Sequence, residues 1–485
     1  MSRAAAAATF ISWFLVLSWA PVYAQSDYNE YLLVHANFDV CRDVNQPIAK
    51  RTTSCSFVIA RGGLEKSEVA KIYLLLGQAL QESGDEQGAL QDFNAAIRSD
   101  AKYEQVWLGR ASFFASQSDF AHALEDYDQA LKINPKDAAV YDNRGIMLQA
   151  IGERDKAIAD FTRAIALDPQ DRSAFSNRAT AYLASGEVKP AIADLSQVIQ
   201  GEPGNGMAAY NRGTAYERNG QPDLALEDYR RAVRLEPSFA PASAALGRLL
   251  KDKDPEEAIA QLSAAVRLDP KSPALRSRAI LYLALARFDD ALRDFDRVIA
   301  NNASDSLAFL DRGVAQEKLG NLESAIHDYD RSIELAPAAA TYANRGNAFL
   351  HMQKLTSALS DFNAALVLEP ANLTALLGRA EADYVRKSMS DSLVDYSRVI
   401  DLDPRNVIAY FRRGNVHFDL HEYDAALNDY SRSLDLDPDQ PVVLYNRSLA
   451  EARTGRLKES TNDRRRALTL DASVAAGESV SSRRK

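Results

Sequence analysis

The feature that most constrains this chain is a pair of charged residues that recurs along most of its length. An arginine returns at intervals of about 34 residues, and an aspartate follows about sixteen residues after each one. A period in this range predicts a solenoid, in which each unit packs against its neighbours. The arginines are Arg110, Arg144, Arg178, Arg212, Arg278, Arg312, Arg345, Arg379, Arg413 and Arg447. The aspartates are Asp126, Asp160, Asp194, Asp228, Asp294, Asp328, Asp361, Asp395, Asp429 and Asp463.

The composition and net charge of the chain argue against nucleic-acid binding. Hydrophobic residues make up 46% of the 485 residues and charged residues 26%, as in ordinary folded soluble proteins. The formal net charge is -10, so there is no basic excess of the kind that nucleic-acid binding requires. We therefore expect no nucleic-acid partner.

The N-terminal segment has the layout of a secretory signal peptide. Arg3 precedes an apolar run from Ala4 to Ala20, Pro21 breaks the run, and Ala24 offers a small residue for cleavage. We expect residues 1–24 to be removed and the mature chain to be exported, periplasmic or secreted from a bacterium. The alternative is an uncleaved anchor, since the run approaches a bilayer-spanning length. No later segment is apolar enough to span a membrane.

Two cysteines, Cys41 and Cys55, follow this segment. An exported chain enters an oxidising compartment, so we predict a disulfide between the two cysteines. In the chain-entropy model, closing this loop stabilises the folded state by about 3 kcal/mol. The alternative is two buried free thiols. A metal site is less favoured because His35 is the one histidine nearby. Residues 25–69 are expected to form a divergent helical cap stapled by this disulfide.

Residues 70–474 divide into about twelve units. They begin near residues 70, 104, 138, 172, 206, 240, 272, 306, 339, 373, 407 and 441. In the unit 138–171, Gly145 at position 8 and Ala157 at position 20 allow two helices to approach closely, and Phe161 at position 24 fills the space beside them. Pro169 ends the second helix because proline lacks an N–H and disfavours helix before it.

This pattern resembles the tetratricopeptide repeat, most fully in residues 138–171. The resemblance implies an all-α fold, a right-handed superhelical solenoid of about twelve helix-turn-helix repeats with a concave groove that binds peptides or protein segments. The last unit has Arg464 in place of the aromatic residue, and we expect its polar face to cap the stack. Residues 475–485 are expected to be a disordered tail.

The arginine and the aspartate are expected to pair within each repeat as structural ion pairs. The repeat at 240 supports this, since it has Leu246 and Gln261 and so lacks both together. The alternative is an arginine ladder for an anionic ligand, but such a ladder gives no reason for the aspartate to follow. The pairs we single out are Arg144 with Asp160, Arg178 with Asp194, Arg212 with Asp228, and Arg312 with Asp328.

The resemblance places positions 2, 5, 6, 9, 12 and 13 of the first helix in the groove. Position 6 is often asparagine, whose amide can form hydrogen bonds with a peptide backbone. This row of asparagines resembles the asparagine ladder in the repeat region of O-linked N-acetylglucosamine transferases. The alternative is that Asn-Arg-Gly is simply common there. The expected groove residues are Asn143, Asn177, Asn211, Asn344 and Asn446, with a patch formed by Tyr210, Phe411, Arg412, Asn415 and Tyr445.

The sequence lacks the motifs of catalysis. His417 and His421 are spaced for a metal, but the glutamate of a zinc protease motif is missing, and His417 replaces a packing tyrosine. We expect no enzyme activity, no cofactor, no metal and no small-molecule substrate. The expected function is a protein-interaction scaffold that binds a peptide or protein segment. The alternative is a non-catalytic regulatory or assembly subunit of a cell-envelope enzyme complex.

Overall fold

The computed structural model describes residues 22–475, and these residues are almost entirely helical. They form 26 α-helices and one short 3-10 helix, with no strand among them. The predicted all-α solenoid is confirmed. Within this part of the chain, no helix combines the length and the hydropathy needed to cross a membrane. The expected signal peptide lies outside the described residues apart from residues 22–24, and the expected tail lies outside them apart from Ala475.

The chain divides into two compact units, with the boundary along the sequence between Pro237 and Ser238. In the first unit, consecutive helices pack as antiparallel pairs, and first helices of neighbouring repeats also touch, as α3 and α5 do. Its helices are α1 (Val22–Arg42), α2 (Ile48–Arg61), α3 (Lys66–Ser83), α4 (Glu86–Ser99), α5 (Glu104–Ser116), α6 (Phe120–Ile133), α7 (Ala138–Ala150), α8 (Arg154–Leu167), α9 (Arg172–Ser185), α10 (Val188–Gly201), α11 (Gly206–Arg218) and α12 (Pro222–Leu235).

The second unit repeats the same arrangement. Its helices are α13 (Ala240–Leu250), α14 (Pro255–Leu268), α15 (Ala274–Ala284), α16 (Phe288–Asn301), α17 (Ser306–Lys318), α18 (Leu322–Leu335), α19 (Ala339–His351), α20 (Leu355–Leu368), α21 (Leu373–Val385), α22 (Met389–Leu402), α23 (Val407–Asp419), α24 (Tyr423–Leu436), α25 (Pro441–Arg453) and α26 (Leu457–Leu470), followed by the 3-10 helix Ala472–Ala475. From α3 onward, odd-numbered helices are the first and even-numbered helices the second of each repeat.

Small residues let the two helices of each repeat approach. A Cβ atom added to Gly145 would lie 2.6 Å from the ring of Phe161, so only glycine fits against this ring without a shift. Ala157 and Phe161 are fully buried beside it. Gly346 with Phe362 and Gly414 with Tyr430 repeat the contact. This packing explains why small residues recur at positions 8 and 20 of the repeats and a large apolar residue recurs at position 24.

In every repeat except the one at 240, the turn between the two helices places a residue with positive φ at position 15. Gly152 has φ 85° and Gly320 has φ 81°, a region that glycine enters without steric cost. In five repeats the residue with positive φ is not glycine: Ser118, Ala286, Gln353, Lys387 and His421. These five turns therefore carry local strain that the glycine turns avoid.

The two ends of the described chain are closed differently. The predicted disulfide is confirmed: Cys41 in α1 and Cys55 in α2 are bonded and fully buried against Val58, Ile72 and the rest of the first core. At the other end, Arg464 is exposed and lies over the ring of Tyr445. Val474 of the 3-10 helix is buried in the last core. The last repeat is thus covered partly by an apolar side chain, which its polar sequence did not predict.

Candidate functional site

The recurring arginines do not form a free cationic row. In the unit 138–171, Nε and Nη2 of Arg144 each donate to one carboxylate oxygen of Asp160 at 2.7 Å. The same fork-like pair joins Arg178 to Asp194, Arg212 to Asp228 and Arg312 to Asp328. Such a bidentate pair fixes the register of the two helices.

The remaining guanidinium nitrogen links each repeat to the one before it. Nη1 of Arg144 donates to Asp128 at 2.6 Å, and Nη1 of Arg178 donates to Thr162 at 3.0 Å. The acceptor always lies at about position 25 of the preceding repeat. The other acceptors are Asn94, Ser196, Ser263, Asp296, Asp330, Asn363, Ser397 and Ser431. Each of these arginines therefore also links its repeat to the preceding one, a role that the sequence did not predict.

The first repeat shows what happens to the aspartate without its arginine. Position 7 there is Leu76, and the carboxylate of Asp92 is half-buried. Burial raises the pKa of Asp92 to about 6. In the repeat at 172, both partners are present. The hydrogen bonds that Arg178 donates to Asp194 raise the pKa of Arg178. The aspartate thus stabilises the charged form of the arginine.

With the arginines engaged, the surface left for a ligand is the one that we call the first-helix face, formed by positions 2, 5, 6, 9, 12 and 13 of the first helices. Side chains of successive first helices meet along it. Nδ2 of Asn177 donates to both oxygens of Asp142, at 3.0 and 3.1 Å. The hydroxyl of Tyr384 donates to Asp419 at 2.6 Å.

The expected asparagine ladder is uneven. Asn143 is exposed, Asn211 and Asn344 are half-buried, and Asn177 is engaged with Asp142. The expectation for Asn446 is wrong, because its side chain is only 5% exposed and donates to Asn415 at 3.0 Å. Asparagine at position 6 becomes internal where the neighbouring repeat supplies a partner for its amide.

The expected C-terminal patch is also revised. Asn415 is 5% exposed and accepts hydrogen bonds from Tyr430 and Asn446, so it is a packing residue. Tyr210 belongs to α11 in the first unit, where its ring centroid lies 5.7 Å from that of Tyr229. Phe411, Arg412 and Tyr445 remain half-buried on the first-helix face of the second unit.

A cavity of about 650 Å³ opens on the first-helix face of α19, α21 and α23. Leu350, Leu377, Val385 and Ile408 give it an apolar lining. Its other lining residues are Asn347, His351, Gln353, Thr374, Gly378, Glu381, Tyr396 and Arg412. The volume falls in the range of pockets that hold ligands or anchoring side chains. Of these lining residues, only Arg412 was expected from the sequence. The sequence signal for the cavity is Gly378, which stands at position 6 of its repeat in place of asparagine.

The polar groups of this cavity are held in place. Glu381 accepts a hydrogen bond from the hydroxyl of Tyr396 at 3.0 Å, and Nη1 of Arg412 lies 3.5 Å from the same carboxylate. Burial raises the pKa of Tyr396 well above its usual value, so its proton stays available to Glu381. The cavity thus combines an apolar surface with a fixed carboxylate and a half-exposed guanidinium.

The histidine pair is not arranged as a metal site. Nδ1 of His417 lies 2.6 Å from Glu422, and Nδ1 of His421 lies 3.0 Å from the hydroxyl of Tyr423. Among the described residues there is no cluster of three His, Cys, Asp or Glu side chains able to hold a metal ion.

Comparisons with known proteins agree with the repeat pattern. A family model described as tetratricopeptide repeat matches residues 74–138, 210–273, 276–340 and 344–407, more than half of the chain. Models of the same description match residues 407–440 and 138–171. No match was found among curated proteins.

Several solved structures are similar to the chain. MamA is 25% identical with a TM-score of 0.34, over 36% of this chain and 94% of that one. The APC/C hetero-tetramer Cut9-Hcn1 is 12% identical with a TM-score of 0.42, over 91% and 93%. Yeast Tom70 is 15% identical with a TM-score of 0.39, over 93% and 100%.

Proposed function

Because the chain belongs to the tetratricopeptide repeat family, we propose that it is a protein-interaction scaffold. Its partner would lie on the first-helix face of α19, α21 and α23. The observation that carries this proposal is the cavity of about 650 Å³, whose apolar lining is open to solvent.

The shape and chemistry of the cavity suit an anchoring side chain of a partner protein. Ile408 is 59% exposed at its rim, although a large aliphatic residue favours burial. Exposed apolar surface beside a few fixed polar groups is typical of protein-binding sites. An apolar side chain of the partner would fill the cavity beside Leu377, and its backbone would meet Glu381 and Arg412.

The asparagines that remain accessible extend this proposal along the face. Asn344 lies at position 6 of α19, one of the helices that line the cavity, and its amide suits a peptide backbone. Asn143 and Asn211 offer the same group in the first unit. We propose no catalytic role, no cofactor and no small-molecule substrate.

We further propose that the chain is exported. The support is the buried Cys41–Cys55 disulfide, since such bonds persist mainly in oxidising compartments. A bacterial periplasm is the compartment that we favour.

Site-specific photo-crosslinking in an envelope extract tests the binding proposal. A photoreactive residue at Ile408 is expected to capture a partner, whereas one at Leu457, which is 66% exposed on α26, is the matched control. Ile408→Glu should abolish capture of that partner by affinity pulldown, and Leu457→Glu should not. Undiminished capture by Ile408→Glu would contradict the proposal. Varied peptides among the products indicate a general holder, whereas one stoichiometric enzyme indicates the subunit alternative.

A further inference from the structure

The last repeat carries a concentration of exposed positive charge. Residues 453–466 contain six basic and two acidic side chains, although the whole chain has a formal net charge of -10. Among the second helices of the repeats, α4 to α26, α26 has the largest excess of basic over acidic residues. All six basic side chains of this segment are exposed: Arg453, Arg456, Lys458, Arg464, Arg465 and Arg466.

Four residues of α26 form one surface of this segment, which we call the α26 face: Leu457, Lys458, Arg464 and Arg465. Leu457 and Arg464 are seven residues apart, as are Lys458 and Arg465, so all four lie on one side of the helix. The same side of α24 packs against the next repeat, where Tyr430 is fully buried. The α26 face is therefore the side that other second helices direct toward a neighbouring repeat.

The α26 face has the opposite chemistry to this side of the other repeats. In ten repeats position 25 accepts a hydrogen bond from the next arginine, as Asp128 does from Arg144. In the last repeat position 25 is Arg465, which can only donate, and the repeat at 206, with Arg230, is the other exception. Position 24 is a ring or a leucine in the other repeats but is Arg464 here. The α26 face thus presents donors and lacks acceptors.

Two of the six basic residues already have acidic partners. Arg456 donates to Asp424 at 2.8 Å, and Arg466 donates to Asp439 at 2.9 Å. The other four have no carboxylate within 4 Å in the part of the chain that the structure describes: Arg453, Lys458, Arg464 and Arg465.

The acidic residues of the segment do not neutralise these four charges. Asp463 is engaged by Arg447, which donates to it through Nε at 2.6 Å and through Nη2 at 3.1 Å. Glu459 is the one acidic residue of residues 453–466 that stays exposed. The guanidinium of Arg464 lies 5.7 Å from the ring centroid of Tyr445, which orients it without pairing its charge. The α26 face is therefore a cationic surface with its charge uncompensated.

The composition of the α26 face suits an acidic protein segment. Guanidinium groups bind carboxylates in a bidentate geometry, and arginine is enriched in protein interfaces. Leu457 is 66% exposed between the charges and offers an apolar contact. Lys458 and Arg465 are separated by about 10 Å along the helix, so a ligand needs several carboxylates to reach both.

The surroundings of the α26 face disfavour an extended polyanion. Asp424 and Asp439 of the preceding repeat lie beside this segment, with side chains 77% and 71% exposed. A nucleic acid or an anionic bilayer would extend over these carboxylates, and like charges placed together are unfavourable. A short acidic segment can contact the arginines alone.

We propose that the α26 face binds a segment of a partner protein in which several Asp or Glu residues flank an apolar residue. The carboxylates accept hydrogen bonds from Lys458, Arg464 and Arg465, and the apolar residue lies against Leu457. This partner differs from the one on the first-helix face. A photoreactive residue at Leu457 should therefore not capture the protein found through Ile408, and either surface can fail without the other.

A model peptide and the full chain provide the test. The probe is fluorescein-labelled Gly-Ser-Gly-Glu-Glu-Leu-Glu-Glu-Gly-Ser-Gly, compared with a version in which glutamines replace the four glutamates. Fluorescence anisotropy should show binding of the acidic peptide, and binding weaker by about tenfold or more for the glutamine peptide. Raising the ionic strength from about 0.01 M to about 0.15 M should also weaken binding, because it shortens the Debye length from about 30 Å to about 8 Å.

Substitutions in α26 locate the site. Arg464→Gln combined with Arg465→Gln should weaken binding of the acidic peptide by about tenfold or more. Arg154→Gln combined with Arg163→Gln is the matched control, since it removes the same charge from two exposed residues of α8, and it should bind as the parent does. Arg465→Asp introduces an acceptor of the kind found at position 25 of other repeats and should also weaken binding by about tenfold or more. Circular dichroism verifies that each variant is folded.

Three results would overturn the proposal. The first is a parent protein that does not bind the acidic peptide at about 1 mM, and the second is equal binding of the glutamine peptide. The third is full affinity in the variant with Arg464→Gln and Arg465→Gln. Co-sedimentation with phosphatidylglycerol vesicles without binding of the peptide would assign the α26 face to a membrane instead.

Discussion

At the scale of single residues, the recurring arginine is the element that holds neighbouring repeats in register. Nine of the ten paired aspartates are buried, as Asp194 is at 5% exposure, and Asp463 of the last repeat is partly exposed. Removing one partner of such a pair leaves a buried charge, whereas removing both does not. The repeat at 240, with Leu246 and Gln261, is the natural example of joint loss.

We therefore predict that Arg178→Leu lowers the free energy of unfolding of its unit by about 3 kcal/mol, because it leaves Asp194 buried without a donor. Arg178→Leu combined with Asp194→Gln, the pair found in the repeat at 240, should recover most of that loss. Urea denaturation measures both. A double variant no more stable than the single one would show that the pair does not act as described.

The unpaired aspartate of the first repeat makes a prediction about pH. The pKa of Asp92 is raised from 3.8 to about 6, so the folded protein holds this proton more tightly than the unfolded chain does. Stability from this group is present below about pH 4 and is lost as the pH rises to about 6. Asp92→Asn should remove this loss, and urea denaturation followed by Trp107 fluorescence, with Trp13 and Trp19 replaced by phenylalanine, measures it.

The control for this experiment is Asp126→Asn, which weakens an existing pair with Arg110. It should destabilise the protein at pH 7, whereas Asp92→Asn should not. A pH dependence that persists unchanged in Asp92→Asn would contradict the role given to its carboxylate.

At the scale of elements, the turn of each hairpin gives an independent prediction. Ala286 has φ 56°, in the region that costs a residue with a side chain about 1–2 kcal/mol. Ala286→Gly should therefore raise the free energy of unfolding by about 1 kcal/mol. Gly320→Ala, at the same turn position with φ 81°, should lower it by a similar amount. Equal stability of Ala286→Gly and the parent in urea would contradict the strain.

The repeats also show why the elements were predictable and some of their contacts were not. The helices begin where the repeat period predicts, as α7 does at Ala138. The reason is that the small residue at position 8 must contact the large residue at position 24 in each hairpin, as Gly145 contacts Phe161. The acceptor for Nη1 of the arginine was not predicted, because Asn, Asp, Ser and Thr side chains can each accept this hydrogen bond. Its residue type varies although its role does not.

The candidate site was less predictable than the fold. Asn143 and Asn446 occupy the same position of their repeats, yet one is exposed and the other buried. The difference comes from Asn415, which accepts from the amide of Asn446 and lies in the neighbouring repeat. Position within a repeat thus predicts the direction of a side chain, but not whether the next repeat covers it.

At the scale of the whole molecule, the positions that hold the stack together differ from those that form the first-helix face. The first-helix face of α19, α21 and α23 has an open cavity with an apolar lining and a fixed carboxylate. The recurring arginines do not line this cavity, since they are bonded within the stack. A solenoid can therefore vary its binding surface without changing its structural ion pairs, because the two use different positions of the repeat.

The central claim is that a protein partner lies on the first-helix face of the second unit. Hydrogen–deuterium exchange of the full chain, with and without a partner captured through Ile408, tests it most directly. We expect slowed exchange in α19, α21 and α23 when the partner is bound, with α24 and α26 unchanged. Protection confined to second helices, or absent from α21 and α23, would contradict it.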